Sequence, residues 1–312
     1  MDDRPIASRG SAPRDPEELE AGGVNASHEI APATRLGAVH LTVSDLRRSR
    51  RYYQDAIGLE TLVEDERRLS LGVGGEELLV LVERAGAQPT PGATGLYHFA
   101  LLVPERRDLA RWLAHAARTR VHLEGMTDHF VSEAIYLSDP DGHGIEIYAD
   151  RPRSAWEGRV ASGMTSLPLD ARGLLGELAD PEHEPFEGLA AGTVIGHVHL
   201  KVASIPETVA FYRDVLGFGL MVELGAQAAF LSAGGYHHHI GANTWESAWG
   251  SPPSADAAAL RHATILLPDL PALETLRARM EAHDVELIEG DETSVLDPSG
   301  IRLRFEPASI GT

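Results

Sequence analysis

The chain has 312 residues, 43% of them hydrophobic, which is long enough for roughly two globular domains. It carries 27 Lys and Arg against 47 Asp and Glu, and this net charge of -20 argues against nucleic acid and anionic membrane surfaces as partners. Cysteine is absent, which excludes disulfides, thiolate metal sites and cysteine nucleophiles, so any metal would have to bind His, Asp or Glu.

Residues 1–33 are rich in Pro, Ala, Gly and acidic side chains without periodicity, which predicts a disordered leader. This segment lacks the apolar stretch of a signal peptide. No apolar run in the chain approaches the ~20 residues of a membrane span. We therefore expect a cytoplasmic protein.

Four later segments begin with a strand pattern that contains histidine: GAVHLTV at 37–43, LYHFALLV at 96–103, HVHLKV at 197–202 and RHATILL at 261–267. The first and third continue into matching helical segments, residues 47–60 and 207–220. Short alternating segments broken by Gly follow each helix and predict three strands. In the third copy these are Leu220–Leu224, Ala228–Ser232 and Tyr236–Ala242. The chain therefore contains four copies of a βαβββ unit.

This repeat predicts an α+β fold in two parts. The first pair of units occupies residues 34–150 and the second pair occupies residues 194–308. Between them, residues 151–193 are rich in Pro and acidic side chains, which predicts a linker, and residues 169–178 within it favour a short helix.

The most specific pattern is TDHFVSEAIYLSDPDGHGIE at 127–146. His129 precedes Tyr136 by seven positions and Tyr136 precedes Glu146 by ten, with an Asp-Pro-Asp-Gly turn between. These spacings resemble the signature of extradiol ring-cleaving dioxygenases. The βαβββ repeat, over about residues 36–308, resembles the vicinal oxygen chelate superfamily, which also includes glyoxalase I and bleomycin-resistance proteins. The resemblance implies two curved open mixed sheets, each built from two units, with a metal on a concave face.

The resemblance also implies a mononuclear metal held by two histidines and one carboxylate. The histidines at equivalent places in the four copies are His40, His98, His199 and His262. Glu146 supplies the carboxylate in copy two, whereas we expect Arg302 there in copy four, and a guanidinium does not bind a metal. We therefore expect one complete site, with His98, Glu146 and His199 as ligands, or with His40 in place of His199.

The choice between His199 and His40 depends on which units share a sheet. In extradiol dioxygenases a paired-histidine strand supplies the acid-base residue. The segment GGYHHHIGANTW at 234–245 places His238 there, whereas the matching strand of copy one has Leu78. We therefore favour pairing of units two and three, which selects His199. Short connections favour pairing of consecutive units instead, which selects His40.

The resemblance implies an extradiol dioxygenase that opens catechol or a substituted catechol with O2, using Fe(II), with Mn(II) as the alternative. In this interpretation His238 moves the catechol proton, Tyr136 donates a hydrogen bond to a substrate oxygen, and His129 lies behind them. A glyoxalase-like isomerase or transferase and a metal-free protein that sequesters an aromatic drug remain open. No Arg or Lys of the substrate pocket is identifiable from the sequence, so the substituent on the catechol is not predicted. The oligomeric state is also open, a homo-oligomer included.

Overall fold

The structure is a computed structural model that describes residues 22–23 and 30–308. The predicted disordered leader, residues 1–33, therefore lies mostly outside the described residues. Of the part that is described, Gly22–Gly23 form a short strand, β1, which pairs with residues 222–223, and Ile30 is buried.

All four predicted βαβββ units are present. Unit one consists of β2 (Arg35–Val43), α1 (Leu46–Tyr52), β3 (Glu60–Glu64), β4 (Arg68–Val73) and β5 (Glu76–Glu83). Unit two consists of β6 (Gly95–Leu102), α2 (Arg106–Thr119), β7 (Gly125–Asp128), β8 (Ser132–Ser138) and β9 (Gly144–Asp150). Unit three consists of β11 (Val194–Lys201), α6 (Ile205–Val209), β12 (Gly219–Leu224), β13 (Ala228–Ser232) and β14 (Ile240–Asn243). Unit four consists of β15 (Leu260–Leu267), α7 (Leu270–Ala282), β16 (Leu287–Ile288), β17 (Asp291–Leu296) and β18 (Arg302–Pro307).

The helix of unit one has clear local signals at both ends. The Asp45 side chain accepts a hydrogen bond from the Arg48 backbone N–H and caps α1. The helix continues as a π-helical turn, Tyr53–Ile57, and ends at Gly58, whose φ of 93° favours glycine. Unit three repeats this arrangement with a π-helical turn at Ala210–Val215, so the similarity of the two sequences extends to an irregular detail of the backbone.

The units pair across the chain to form two curved mixed sheets. Units two and three share a ten-stranded sheet of order β1-β12-β13-β14-β11-β6-β9-β8-β7-β10, in which β10 (Leu167–Pro168) comes from the segment between the halves. Units one and four share an eight-stranded sheet of order β16-β17-β18-β15-β2-β5-β4-β3. In each unit the first strand runs parallel to the last, and the units join through their antiparallel first strands, β6 with β11 and β2 with β15. The predicted pairing of units two and three is therefore present in the structure.

Consecutive units are nevertheless neighbours, although they lie in different sheets. The Tyr53 hydroxyl of unit one donates to Asp139 of unit two at 2.9 Å, and the Tyr212 hydroxyl of unit three donates to Asp297 of unit four at 3.1 Å. Each tyrosine thus binds the turn between the last two strands of the next unit. Short connections require that consecutive units be neighbours in space. These contacts between a helix and a turn meet that requirement without a shared sheet.

The segment between the halves, residues 151–193, has structure of its own. It contains α3 (Arg153–Trp156), α4 (Val160–Gly163), β10 (Leu167–Pro168) and α5 (Ala171–Leu175), and α5 falls within the predicted helix. The division into 34–150 and 194–308 stays a prediction about sequence organisation, since each sheet takes one unit from each part. One buried apolar cluster includes residues of both sheets and of the helices, such as Leu41, Leu101, Leu113, Val198 and Ile265. Among the described residues, no helix has the length and apolar character needed to cross a membrane.

Candidate metal centre

Two imidazoles and one carboxylate meet in the ten-stranded sheet. The Glu146 Oε2 atom lies 3.0 Å from His98 Nε2 and 3.1 Å from His197 Nε2, and the two nitrogens are 3.2 Å apart. The three side chains are almost fully buried. Within the described ranges they are the one group of three such residues whose ligand atoms could share a metal ion.

The strand register explains why these three side chains converge. Strand β6 lies between β9 and β11, and Ala100 of β6 is the partner of both Glu146 on one side and His197 on the other. His98 lies two residues before Ala100 and therefore on the same face of the sheet. Because the Ala100 side chain is small, His98 and the two flanking side chains can meet above it.

The structure brings His197, and not the predicted His199, to Glu146. His199 instead pairs with His98 in register, and its ring centroid lies 5.0 Å from that of His98. The alternative ligand, His40, lies in the eight-stranded sheet, where it stacks on His262 with 3.9 Å between ring centroids. Neither His199 nor His40 belongs to the group of side chains around Glu146.

A backbone irregularity beside a glycine accompanies the position of His197. The pairing of β11 with β6 shifts register between Ile195 and His197. At the intervening Gly196, an added Cβ would lie only 1.8 Å from the Tyr148 hydroxyl oxygen. A side chain there would therefore displace Tyr148, whose ring lies 5.0 Å from the His197 ring.

The protonation states suit metal binding. Burial alone would raise the pKa of Glu146, but His197 and His98 beside it outweigh burial, and its pKa lies well below the usual range. Burial lowers the pKa of His197, although Glu146 opposes this shift. A carboxylate and a neutral imidazole are therefore favoured at neutral pH, and these are the forms that bind a metal.

The spacing of the donor atoms also fits one ion. Ligand atoms ~2.1 Å from a metal and at right angles to one another are ~3.0 Å apart. The separations here are 3.0, 3.1 and 3.2 Å. Two imidazoles and one carboxylate on one side of an ion match the facial arrangement of non-haem Fe(II) oxygenases, in which the opposite positions stay open.

The predicted acid-base residue His238 lies beside this group, with its ring centroid 4.1 Å from that of His197. It does not lie in a strand, because β14 begins only at Ile240 and not at the predicted Tyr236. His238 Nδ1 lies 2.9 Å from His237 Nδ1, and His237 Nε2 lies 2.8 Å from Asp150 Oδ1.

These contacts define the tautomers. The Asp150 carboxylate can only accept, so His237 carries its proton on Nε2 and accepts at Nδ1. His238 then donates from Nδ1, which leaves its Nε2 as the basic atom. Burial, reinforced by His197 and His237, holds the pKa of His238 well below its usual range. His238 is therefore a neutral base next to the metal centre.

Tyr136 and His129 form a second pair at the same centre. Tyr136 is the register partner of Glu146 on the adjacent strand, and its hydroxyl lies 2.7 Å from His129 Nε2. His129 Nδ1 lies 3.0 Å from the Thr165 carbonyl oxygen, which can only accept, so His129 Nε2 accepts from the Tyr136 hydroxyl. The three residues predicted to be catalytic, His238, Tyr136 and His129, thus lie around the three side chains that could hold a metal.

Two spaces that share lining residues adjoin this centre. The inner pocket, of about 10 Å³, is lined by the three possible ligands together with His129, Tyr136 and His238. The outer cavity, of about 410 Å³, shares His98 and Tyr136 with it and is also lined by Tyr97, Trp245 and Lys201. The inner space suits an ion or a molecule the size of water, and the outer cavity suits a small aromatic substrate.

The corresponding place in the eight-stranded sheet has different chemistry. His40 and His262 stack there. The position equivalent to Glu146 is Arg304 and not the predicted Arg302, because Glu146 and Arg304 each lie seven residues after the aspartate that begins the turn, Asp139 or Asp297. Arg302 forms an ion pair with Asp291. Burial lowers the pKa of His262 to about 4, with Arg302 as the next contribution. An arginine therefore does replace the carboxylate in unit four, but the predicted residue, Arg302, was wrong.

Sequence reasoning missed His197, His237 and Asp150. His197 was visible as the first histidine of His-Val-His in β11, where both histidines share one face of the strand. The distance to the following helix distinguishes them: His98 and His197 each lie seven residues before the N-cap of their helix, whereas His199 lies five residues before it. The contact between Asp150 and His237 spans 87 residues, and no local signal predicts it.

The fold is that of a βαβββ-repeat family, and its site contains two imidazoles and one carboxylate that could hold a metal ion. The family model for the Glyoxalase/Bleomycin resistance protein/Dioxygenase superfamily matches residues 35–147 and 194–305, and the chain belongs to this superfamily. A catechol-2,3-dioxygenase of Bacillus subtilis (strain 168) is 42% identical over 282 residues, which cover 87% of this chain and 97% of that protein.

Solved structures agree on the fold. A putative dioxygenase from Bacillus subtilis superposes with a TM-score of 0.59 at 16% identity, covering 89% of this chain and 87% of that one. A glyoxalase I variant from Zea mays superposes with a TM-score of 0.52 at 16% identity, covering 88% and 94%. Both likenesses concern the fold alone, because the sequence identities are low.

Proposed function

We propose that the protein is an extradiol dioxygenase that opens the ring of catechol or a substituted catechol with O2. The metal would be held by His98, Glu146 and His197, and would be Fe(II), with Mn(II) as the alternative. The observation that carries the proposal is the group of three buried donor atoms 3.0–3.2 Å apart at the inner end of an open cavity. The 42% identity to a catechol-2,3-dioxygenase supports the choice of reaction.

Besides the three metal ligands, the side chains of His238, Tyr136 and His129 would have roles at this centre. His98, Glu146 and His197 would hold the metal, which would supply open coordination positions and a Lewis acid that increases the acidity of the catechol hydroxyls. His238 Nε2 would accept a catechol proton and return it later, since its lowered pKa keeps the imidazole neutral. Tyr136 would donate a hydrogen bond to a substrate oxygen, which requires its hydroxyl to turn away from His129. His129 holds that hydroxyl in place before substrate binds.

The buried surroundings would strengthen these interactions. His98, His197 and Glu146 are all at most 6% exposed, so water is largely excluded from the donor atoms. In such an environment a positioned base and a hydrogen-bond donor stabilise developing charge more strongly than they do in water. Ring opening would incorporate both atoms of O2 into one product.

The test is oxygen uptake by anaerobically purified protein reconstituted with Fe(II), or with Mn(II) in parallel, in the presence of catechol and substituted catechols. We expect uptake of one O2 per catechol and a yellow ring-opened product. The matched control is Glu146→Gln, which keeps the shape of the side chain and removes its charge, and it should lose both metal and uptake. Tight metal binding without oxygen uptake on any catechol would contradict the proposal and favour an isomerase or transferase.

A further inference from the structure

The outer cavity contains the one lysine of the whole chain. Every other basic side chain among the 27 Lys and Arg residues is arginine. Lys201 is the last residue of β11, and its side chain is 21% exposed. Within the described part of the chain it is the one cationic side chain among the residues that line this cavity, which also include two glutamates, Glu124 and Glu246.

Strand geometry places Lys201 at a useful distance from the metal centre. His197, His199 and Lys201 alternate along β11 and therefore face the same side of the sheet. Four residues of strand separate the His197 and Lys201 Cα atoms by ~13 Å. The flexible lysine side chain covers part of this distance, so its ammonium can reach a group on the far side of a ring held at the metal.

An aromatic surface connects the two positions. The Tyr97 ring lies 5.3 Å from both the His199 ring and the Trp245 ring, and Trp245 lies 5.6 Å from His199. Tyr97 and Trp245 line the outer cavity together with His98 and Lys201. A flat ring with its diol toward His98 would therefore lie against aromatic side chains and point its opposite edge toward Lys201.

The ion pair with Glu246 does not explain why a lysine lies in this cavity. Lys201 Nζ lies 3.7 Å from Glu246 Oε2, which is longer than a hydrogen bond, and the glutamate side chain is 63% exposed. Such exposed pairs contribute little to stability. An anionic ligand group that enters the cavity can compete with Glu246 for the ammonium, because the glutamate can remain in water.

From these observations we propose that Lys201 is a specificity-determining residue that binds a carboxylate on the substrate. The preferred substrates would be catechols that carry a carboxylate, on the ring or on a short side chain, at the edge away from the diol. This inference rests on the proposed function for the identity of the ring. The net charge of -20 repels anions in general, so a single cation in the cavity would have a large effect on which anions bind there.

The first test compares substrates of the same shape and different charge. We would measure kcat/KM of the Fe(II)-loaded protein for 3,4-dihydroxybenzoate and for its uncharged methyl ester, and take the ratio. Lys201→Gln should lower this ratio about tenfold, because a hydrogen bond to a charged group is lost. Lys201→Arg should keep most of it, and Glu246→Gln should raise it, because a competing anion is removed. Arg84→Gln, which removes one positive charge at a residue paired with Asp256 away from the cavity, should leave the ratio unchanged.

The second test does not depend on turnover. Because Lys201 is the one lysine of the chain, acylation of side-chain amines by an activated ester can be followed at a single site by peptide mass spectrometry. Under anaerobic conditions, 3,4-dihydroxybenzoate should slow acylation of Lys201 several-fold, and its methyl ester should not. The same comparison with benzoate, which has the carboxylate but no diol, shows whether the anion alone protects the amine.

The outcomes separate this inference from the proposed function. Cleavage of both catechols with a ratio that Lys201→Gln leaves unchanged, and no protection of Lys201, would overturn the inference and leave the dioxygenase proposal standing. Protection of Lys201 by the carboxylated catechol with no oxygen uptake on any substrate would support the anion site and overturn the dioxygenase proposal. If Lys201→Gln does not fold, Lys201→Arg, Glu246→Gln and the acylation of the wild-type protein still decide the question.

Discussion

Replacement of His197 by alanine should remove most of the metal affinity of the protein. In the structure His197 Nε2 lies 3.1 Å from Glu146 Oε2, and its loss leaves two donor atoms, on His98 and Glu146. Changes to residues behind a ligand already cost about 10–100-fold in metal affinity. Loss of a ligand itself should therefore raise the dissociation constant by about 100-fold or more.

The stabilisation of the folded protein by metal can be calculated from this change in the dissociation constant. A metal at 100 times its dissociation constant stabilises the folded state by about 2.7 kcal/mol, and a 100-fold weaker site reduces this to about 0.4 kcal/mol. A change of 1 kcal/mol shifts the melting temperature of a large domain by about 2–4 °C. Metal should thus raise the melting temperature of the wild type by roughly 5–10 °C, and that of His197→Ala by roughly 1 °C.

The assay is thermal unfolding under anaerobic conditions, with and without Fe(II), and again with Mn(II). His199→Ala and His40→Ala are the matched controls, since they remove the same side chain from the same sheet and from the other sheet. Each should keep at least half of the increase that metal produces in the wild type. A normal increase in His197→Ala together with its loss in His199→Ala would refute the assignment of ligands from strand register.

Three further predictions concern the residues around the centre and one buried turn. Tyr136→Phe should lower kcat on catechol about 10–100-fold, because a donor to the substrate oxygen is lost; steady-state kinetics measures this, and an unchanged kcat would contradict the assigned role. Asp150→Asn should lower kcat about tenfold while the metal-dependent rise in melting temperature stays unchanged, because His237 loses the carboxylate that fixes the tautomer of His238; a loss of that rise would instead indicate damage to the fold. Burial raises the pKa of Asp297 from 3.8 to about 6. Because its folded pKa lies above its unfolded pKa, the associated stability is present below pH ~4 and is lost as pH rises through ~6, by roughly 2–3 kcal/mol. Asp297→Asn should remove this dependence in urea unfolding at pH 4.5 and 7.5, and an unaltered pH dependence would show that another group causes it.

The four units and their helices were predictable from the sequence because they rest on local patterns that occur four times. The pairing of units two and three was predicted from chemistry, since His238 has no counterpart in unit one. The same reasoning selected His199 by equivalence with His98, and the structure instead brings His197 to Glu146. Alternation along β11 cannot distinguish two histidines that are two residues apart.

The remaining features of the site depend on contacts between distant parts of the chain. His237 meets Asp150 across 87 residues. Lys201 was part of a recognised strand, but nothing in its neighbours indicates that the strand ends at a cavity. The segment 151–193 was predicted as a linker, yet its Thr165 carbonyl fixes the tautomer of His129. Composition predicts that a segment is irregular, and only the fold shows what its backbone contacts.

In the order of synthesis, units two and three lie between units one and four. The strands that join units two and three, β6 and β11, are separated by residues 103–193, whereas the strands that join units one and four, β2 and β15, lie before and after all of units two and three. On the ribosome, the sheet with the metal centre can therefore close while residues beyond 243 have not yet been made. Strand β2 is the first strand of the repeat to emerge, and one of its edges stays unpaired until β15 has been made. We expect the nascent chain to aggregate through this unpaired edge. We also expect chaperones to be needed only until unit four has been made.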